Sequence, residues 1–154
     1  AMNLTCYTDG GCHGNPGPGG WAYVLSFDGS YEEQYGYHPE TTNNRMELTA
    51  VIEALRRIST LSDSTARIAL YTDSQYVRNG ISDWIHRWKK NGWKTAGKKP
   101  VKNRDLWQSL DELAGSITVS WHWVEGHAGV ELNERCDELV QQAVREAGHS
   151  RDLD

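Results

Sequence analysis

Residues 7–11 read YTDGG, and the same Tyr-Thr-Asp triplet returns at residues 71–73, at the start of YTDSQ. Each triplet closes a short apolar run, NLTCYT or ARIALYT, which is typical of a buried strand. Either aspartate alone has an ordinary explanation: Asp9-Gly10 is a common turn pair, and Asp73 precedes SQYV as a helix N-cap would. If the two strands are neighbours, however, both aspartates emerge at one region of the sheet and could belong to one site.

The order of the remaining elements predicts an α/β fold. We expect the first strand to stop at Gly10 and Gly11 and GNPGPGG to be a tight connection, followed by a hairpin of WAYVLSF and SYEEQYGYH joined at Asp28-Gly29. SITVSWHWV is a further strand. Helical patterns cover NNRMELTAVIEALRRIS, SQYVRNGISDWIHRWKK (one helix, or two broken near Gly80), NRDLWQSLDELA and ELNERCDELVQQAVREA. Three strands followed by alternating strands and helices indicate a mixed sheet flanked by helices.

The whole chain, residues 1–154, is expected to form a single domain, with residues 148–154 as a flexible tail. The three cysteines are odd in number and irregularly spaced, which favours a reducing compartment, and we expect a cytoplasmic protein. No apolar run approaches the roughly 18–20 residues that span a bilayer, and no signal-peptide pattern opens the chain. Cysteine and histidine spacing does not suit zinc, and no P-loop or nucleophile elbow is present.

The net charge of −5 hides a strongly basic segment. Residues 84–104 contain 8 of the 16 lysines and arginines and no Asp or Glu, so the rest of the chain carries 8 basic against 21 acidic residues, or −13. A run of basic residues usually forms only the solvated face of a helix. Tryptophans 84, 88 and 93 interleave with the lysines, however, and exposed indoles are costly unless they pack or bind. The segment is therefore also a candidate docking place for a polyanion.

Helical periodicity adds two more acids. Glu47 lies four residues before Val51, at the N-terminal end of the apolar stripe of its helix, and Asp137 lies on the shoulder of the stripe of the last helix. Four carboxylates that converge without cations would repel one another and take up protons. Divalent metals resolve that conflict, and ligation by oxygen alone favours Mg²⁺ or Mn²⁺ over zinc.

Five stretches together resemble the bacterial ribonuclease HI family, and the resemblance runs from about Leu4 to Ala147. They are YTDGGCHGNPGPGGWAYVL, TTNNRMELTAVIEAL, YTDSQYVRNGISDWIHRWKKNGWKT, KKPVKNRDLWQSLD and WVEGHAGVELNERCDELV. The resemblance implies a five-stranded mixed sheet with helices on both faces. It also implies a sequence-independent endonuclease that cleaves the RNA strand of RNA–DNA hybrids and leaves 5′-phosphate and 3′-hydroxyl ends. Two Mg²⁺ ions, for which Mn²⁺ can substitute, and a monomer without an obligate protein partner are implied as well.

The resemblance also implies roles for individual residues. The acidic tetrad that holds the metals falls on Asp9, Glu47, Asp73 and Asp137, and a loop histidine that assists turnover falls on His127. The polar residues that contact the hybrid are Cys12, Asn15, Asn43, Asn44 and Gln75. The basic protrusion that contacts the DNA strand falls on about residues 84–104 and includes Trp84, Trp88, Lys89, Lys90, Trp93 and Lys94. Gly11 departs from the serine common in relatives, and His13 has no interpretation.

Two other functions compete with this one. A hybrid-binding module without catalysis would fit the basic segment, but the complete tetrad argues against it. An integrase or junction resolvase would share the fold, but those enzymes lack the basic protrusion and the NNRMEL stretch.

Overall fold

The protein is described here by a computed structural model that covers residues 3–61, 65–125 and 131–153, the last four of them by their backbone alone. Five strands form one sheet in the order β3-β2-β1-β4-β5. Their bounds are β1 Asn3–Cys12, β2 Gly17–Phe27, β3 Ser30–Thr41, β4 Arg67–Thr72 and β5 Thr118–Trp123. The first three strands pair antiparallel, whereas β4 pairs parallel to both β1 and β5. The predicted mixed sheet is confirmed.

In the described parts of the chain, five α-helices accompany the sheet: α1 Asn43–Leu61, α2 Gln75–Asn79, α3 Ile85–Asn91, α4 Arg104–Gly115 and α5 Glu131–Leu153. Consecutive residues of β2 belong to different apolar clusters: Leu25 packs with α1 and α4, and Val24 packs with α5. Because successive side chains of a strand point to opposite faces, helices cover both faces of the sheet. Among the described residues, no helix has the length and apolar character needed to cross a membrane.

The prediction that β1 stops at the glycine pair was wrong. Gly10 and Gly11 pair with Trp21 and Gly20 of β2, and the strand continues to Cys12. A Cβ atom on Gly10 would lie 2.3 Å from the carbonyl carbon of Met46, so the glycine is required by the close approach of α1 and does not mark a turn. The GNPGPGG stretch is likewise only partly a connection, since β2 already begins at Gly17.

The hairpin at Asp28-Gly29 is confirmed. Both residues have positive φ, 49° and 76°, as the two central positions of a type I′ turn require. The break near Gly80 is confirmed too, and it takes the form of a π-helical turn, Gly80–Trp84, between α2 and α3. A Cβ atom on Gly80 would lie 2.0 Å from the ring of Trp107, so this glycine lets α4 pack against the turn.

α5 runs to Leu153 and so includes residues 148–153, the stretch that was expected to form a flexible tail. Gly148 has the weakest intrinsic preference for helix in that stretch, and a single helical glycine costs only about 1 kcal/mol relative to alanine.

Candidate active site

The register between β1 and β4 places the two YTD triplets side by side. Tyr7 pairs with Tyr71 in the parallel ladder, and their rings stack with centroids 4.6 Å apart. The hydroxyl of Thr8 donates to the carbonyl oxygen of Tyr71 at 3.4 Å. Because the pairing is in register, Asp9 and Asp73 lie at the same end of two adjacent central strands.

Glu47 reaches the same place from α1. The Thr42 hydroxyl accepts a hydrogen bond from the backbone N–H of Arg45 at 3.2 Å, and so caps the first turn of this helix. The absence of a side chain on Gly10 brings that turn against β1. Helix capping and close packing together fix Glu47 beside Asp9.

The three carboxylates form a compact cluster. Each of Asp9, Glu47 and Asp73 offers one oxygen, and these oxygens all lie within 4.8 Å of one another. Glu47 is only 9% exposed, and its Oε1 atom is buried without a hydrogen-bond partner. A buried, unpaired carboxylate oxygen is costly unless a cation or a donor meets it. The donor set, composed of oxygen alone, fits Mg²⁺ or Mn²⁺.

The pKa values of the cluster report the same conflict. Burial raises the pKa of Asp9 to about 7, and the charge of Asp73 adds to the rise. Burial raises the pKa of Glu47 well above its ordinary value, and the charges of Asp9 and then Asp73 add to it. Without a cation, the ionised forms of these groups are therefore unfavourable in the folded protein.

Both ordinary explanations of the aspartates fail. Asp9 lies inside β1 and not in a turn, and Asp73 does not cap α2. The N-cap is Ser74, whose hydroxyl oxygen accepts from the backbone N–H of Val77 at 3.1 Å. Ser74 also hydrogen-bonds Glu47, which opposes the rise in the pKa of that carboxyl. Ser74 was not among the predicted site residues, although a serine directly before QYV is itself an N-cap signal.

Asp137 stands apart from this cluster. Asp137 is half-buried on α5, and its charge contributes to the raised pKa of Asp9. It is not in the group of three described carboxylates whose oxygens lie within 4.8 Å. His127 lies outside the described residues.

Three of the expected hybrid-contacting residues form a hydrogen-bonded chain beside the cluster. The backbone N–H of Cys12 donates to Asn43 Oδ1 at 2.7 Å, and the backbone N–H of Asn43 donates to Asn15 Oδ1 at 3.2 Å. Both amide oxygens thus accept a hydrogen bond within the protein, and each side chain keeps its NH₂ group as a donor. Asn44 is half-buried and Gln75 is exposed at the start of α2.

Gly11 lies next to this chain. A Cβ atom there would meet Asn43 Oδ1 at 3.7 Å and Val140 Cγ1 at 3.8 Å, which are ordinary van der Waals contacts. The serine expected at this position would therefore fit, and the glycine is not required by packing.

The basic protrusion, residues 84–104, is built on aromatic packing. The ring of Trp88 lies 5.9 Å from that of Trp84, 6.1 Å from that of Trp93 and 5.6 Å from that of the buried Trp107. The three expected tryptophans are therefore half-buried, not free in solvent. A cavity of about 460 Å³ opens beside them, and its lining includes Trp84, Arg87, Trp88, Lys94 and Lys102.

The lysines of the protrusion are not equivalent. Lys89 Nζ lies 3.3 Å from Asp111 Oδ1 of α4 and so helps hold the protrusion to the domain. Lys90 and Lys94 are exposed, and their positive charges are available to a polyanion.

Comparisons with known proteins agree with this geometry. The protein-family model described as RNase H matches residues 1–145. A ribonuclease H of Halorhodospira halophila is 56% identical over 143 residues, covering 93% of this chain and 93% of that protein. Among solved structures, LC9-RNase H1, a type 1 RNase H with the type 2 active-site motif, superimposes with a TM-score of 0.83 at 33% identity over 96% of this chain and 74% of that one. LC11-RNase H1 in complex with RNA/DNA hybrid gives a TM-score of 0.70 at 25% identity over 94% of this chain and 98% of that one.

The raised pKa values predict that removing one carboxylate stabilises the metal-free protein. A carboxyl whose folded pKa is raised contributes stability below its ordinary pKa and loses it as the pH rises through the folded value. In chelator at about pH 8, we expect Asp9→Asn and Glu47→Gln each to raise the free energy of unfolding by roughly 1–3 kcal/mol, with the difference fading near pH 4. Urea unfolding followed by circular dichroism measures this.

The matched control is Asp28→Asn, which removes a carboxylate from the exposed hairpin turn. It should change the stability little at either pH. A loss of stability in both site variants at high pH would show that the three carboxylates are not in conflict.

Proposed function

The chain belongs to the ribonuclease H family, and we infer from this membership and its acidic cluster that it hydrolyses the RNA strand of RNA–DNA hybrids. The reaction is endonucleolytic, proceeds by a two-metal-ion mechanism, and leaves 5′-phosphate and 3′-hydroxyl ends. The observation that carries this function is the group of three carboxylate oxygens within 4.8 Å, with one buried Glu47 oxygen unpaired.

We propose Mg²⁺ as the metal, with Mn²⁺ as a substitute. Asp9, Glu47 and Asp73 would hold the ions, and Asp137 would complete the ligand set from α5. When bound, the ions lower the pKa of the attacking water and stabilise the leaving 3′ oxygen. The raised pKa values of Asp9 and Glu47 support this assignment, because a site that disfavours its own ionised form gains most from a cation.

The protein's own contribution is to hold the carboxylates before the substrate arrives. Asp9 is fixed within a central strand, and its Oδ1 also accepts from the backbone N–H of Gly10 at 2.9 Å. Ser74 and the packing of α1 fix Glu47. By the family resemblance, His127 would move a proton or assist product release, so its loss should slow turnover without abolishing cleavage.

Recognition of the RNA strand would fall to the amide side chains. A 2′-hydroxyl can donate or accept a hydrogen bond, and an amide side chain with a free oxygen and a free NH₂ group could pair with it in either role. The Asn43 oxygen accepts from the backbone N–H of Cys12 and the Asn15 oxygen from the backbone N–H of Asn43, so both side chains keep N–H donors for a ligand. We therefore propose that they read acceptor atoms of the hybrid, with Asn44 and Gln75 extending the same surface.

The basic protrusion would grip the DNA strand. The sugars would pack against Trp84, Trp88 and Trp93, and the phosphates would contact Lys90 and Lys94. Lys89 forms an ion pair with Asp111 instead. Contacts of this kind carry no sequence information, so binding should tolerate any sequence and weaken steeply with salt.

We propose that the enzyme acts as a monomer in the cytoplasm. Its three cysteines are unpaired, and two of them are buried, which suits a reducing compartment.

A direct test incubates the protein with labelled RNA–DNA hybrid, duplex RNA and duplex DNA, with Mg²⁺ or with chelator. We expect cleavage of the hybrid's RNA strand only, and only with metal. Asp9→Asn should bind the hybrid but cut it at least about 10³-fold more slowly, because a ligand that acts on the reacting centre is lost. Asp28→Asn is the matched control and should cut normally.

Cleavage of duplex RNA at a comparable rate, or of the hybrid in chelator, would contradict the proposed function. Full activity of the Asp9→Asn variant would remove Asp9 from the site.

The orientation of Asn43 predicts the effect of an isosteric change. Asn43→Asp keeps the oxygen that accepts from Cys12 but replaces the NH₂ donor by a second acceptor. We expect KM for the hybrid to rise roughly tenfold, as one hydrogen bond to the substrate is lost, while the thermal stability stays unchanged. Steady-state cleavage and thermal unfolding measure the two effects.

Asn3→Asp adds the same charge at the far end of β1 and is the control, which should leave KM unchanged. An unaltered KM for Asn43→Asp would show that Asn43 does not present its NH₂ group to the hybrid.

A further inference from the structure

Arg78 occupies a position that the proposed function does not use. It lies three residues after Gln75, so the two share one side of α2. Its guanidinium carbon lies 5.7 Å from the centroid of the Trp123 ring of β5, within the range of a cation–π contact. The side chain is exposed, and the ring holds its charged group in place without neutralising it.

A cavity of about 370 Å³ lies between α2 and the ends of β4 and β5. Arg78 and Trp123 line it, and so does Asp73 of the acidic cluster. Glu125 lines it as well, yet no ion pair joins Arg78 to either acid or to any other carboxylate among the described residues. An arginine beside a catalytic cluster, held by an aromatic ring and without an acidic partner, is arranged to receive an anion.

We propose that Arg78 binds a phosphate of the RNA strand adjacent to the scissile phosphate. This inference rests on the proposed function, which places the RNA strand over Asp73. A nucleic-acid strand carries one phosphate per 3.4 Å of helix axis, so a strand cleaved at Asp73 has further phosphates close to the cavity. The planar guanidinium can hold a phosphate through two parallel hydrogen bonds, and the Trp123 ring orients it for that contact.

The salt dependence of binding tests the proposal, because each neutralised phosphate contributes about one to the slope of log K against log[salt]. Binding of labelled hybrid is measured by fluorescence anisotropy at several salt concentrations, with Asp9→Asn present throughout so that the substrate is not cut. Adding Arg78→Gln should lower the slope by about one, whereas Arg78→Lys, which keeps the charge, should leave it nearly unchanged. Arg56→Gln removes an exposed arginine that pairs with Glu53 on α1 and should not alter the slope.

The strand is identified with a hybrid in which a short block of ribonucleotides fixes the cleavage position. One uncharged methylphosphonate beside that block should weaken binding roughly fivefold when Arg78 is present and should have no further effect in Arg78→Gln. The same substitution on the DNA strand should affect both proteins equally.

An unchanged slope for Arg78→Gln would overturn the inference, as would an equal loss for Arg78→Lys, which would mean that packing and not charge matters. The choice of strand would be overturned if Arg78→Gln abolished the effect of the methylphosphonate on the DNA strand but not its effect on the RNA strand. If the Asp9→Asn protein does not bind hybrid at all, the proposed function fails first.

Discussion

The parallel pairing of β1 with β4 is the constraint on which the site depends. Tyr7 and Tyr71 are opposite one another and stacked, so the aspartates two residues further on project from the same face at the same end of the sheet. A slip of one residue would send every side chain of β4 to the other face and separate Asp73 from Asp9. Gly10 adds the second requirement, since only a residue without a side chain lets α1 deliver Glu47 to that place.

This arrangement stores an electrostatic conflict in the fold. Three carboxylates are held closer than their charges favour, and burial prevents water from relieving the repulsion. The large apolar clusters on both faces of the sheet, around Leu55 and around Val140, supply the stability that tolerates it. Such a site lowers the free energy of unfolding, but its carboxylates need not reorganise when the metal and substrate arrive.

Local patterns in the sequence predicted most of the strands and helices and the convergence of Asp9, Glu47 and Asp73, because periodicity reports which face of an element is buried. They were misleading where a residue serves a distant neighbour. The Gly10-Gly11 pair looks like a turn, but Gly10 is required by the close approach of the α1 backbone at Met46, which lies over 30 positions away. The hydrogen bond of the Asn43 side-chain oxygen and that between Ser74 and Glu47 could not be predicted either, since each forms only in the folded chain. The resemblance to a family indicated the reaction, and the geometry then showed which carboxylates lie close enough to share a metal.

Burial and the neighbouring carboxylates raise the pKa values of Asp9 and Glu47, so we expect a divalent cation that binds them to displace protons. Calorimetric titration of the metal-free protein with Mg²⁺ at about pH 7, in two buffers of different ionisation enthalpy, tests it most directly, because metal binding then displaces protons to the buffer. We expect a binding heat that differs between the buffers, and a smaller difference in Glu47→Gln. Equal heats in both buffers, with binding otherwise intact, would contradict it.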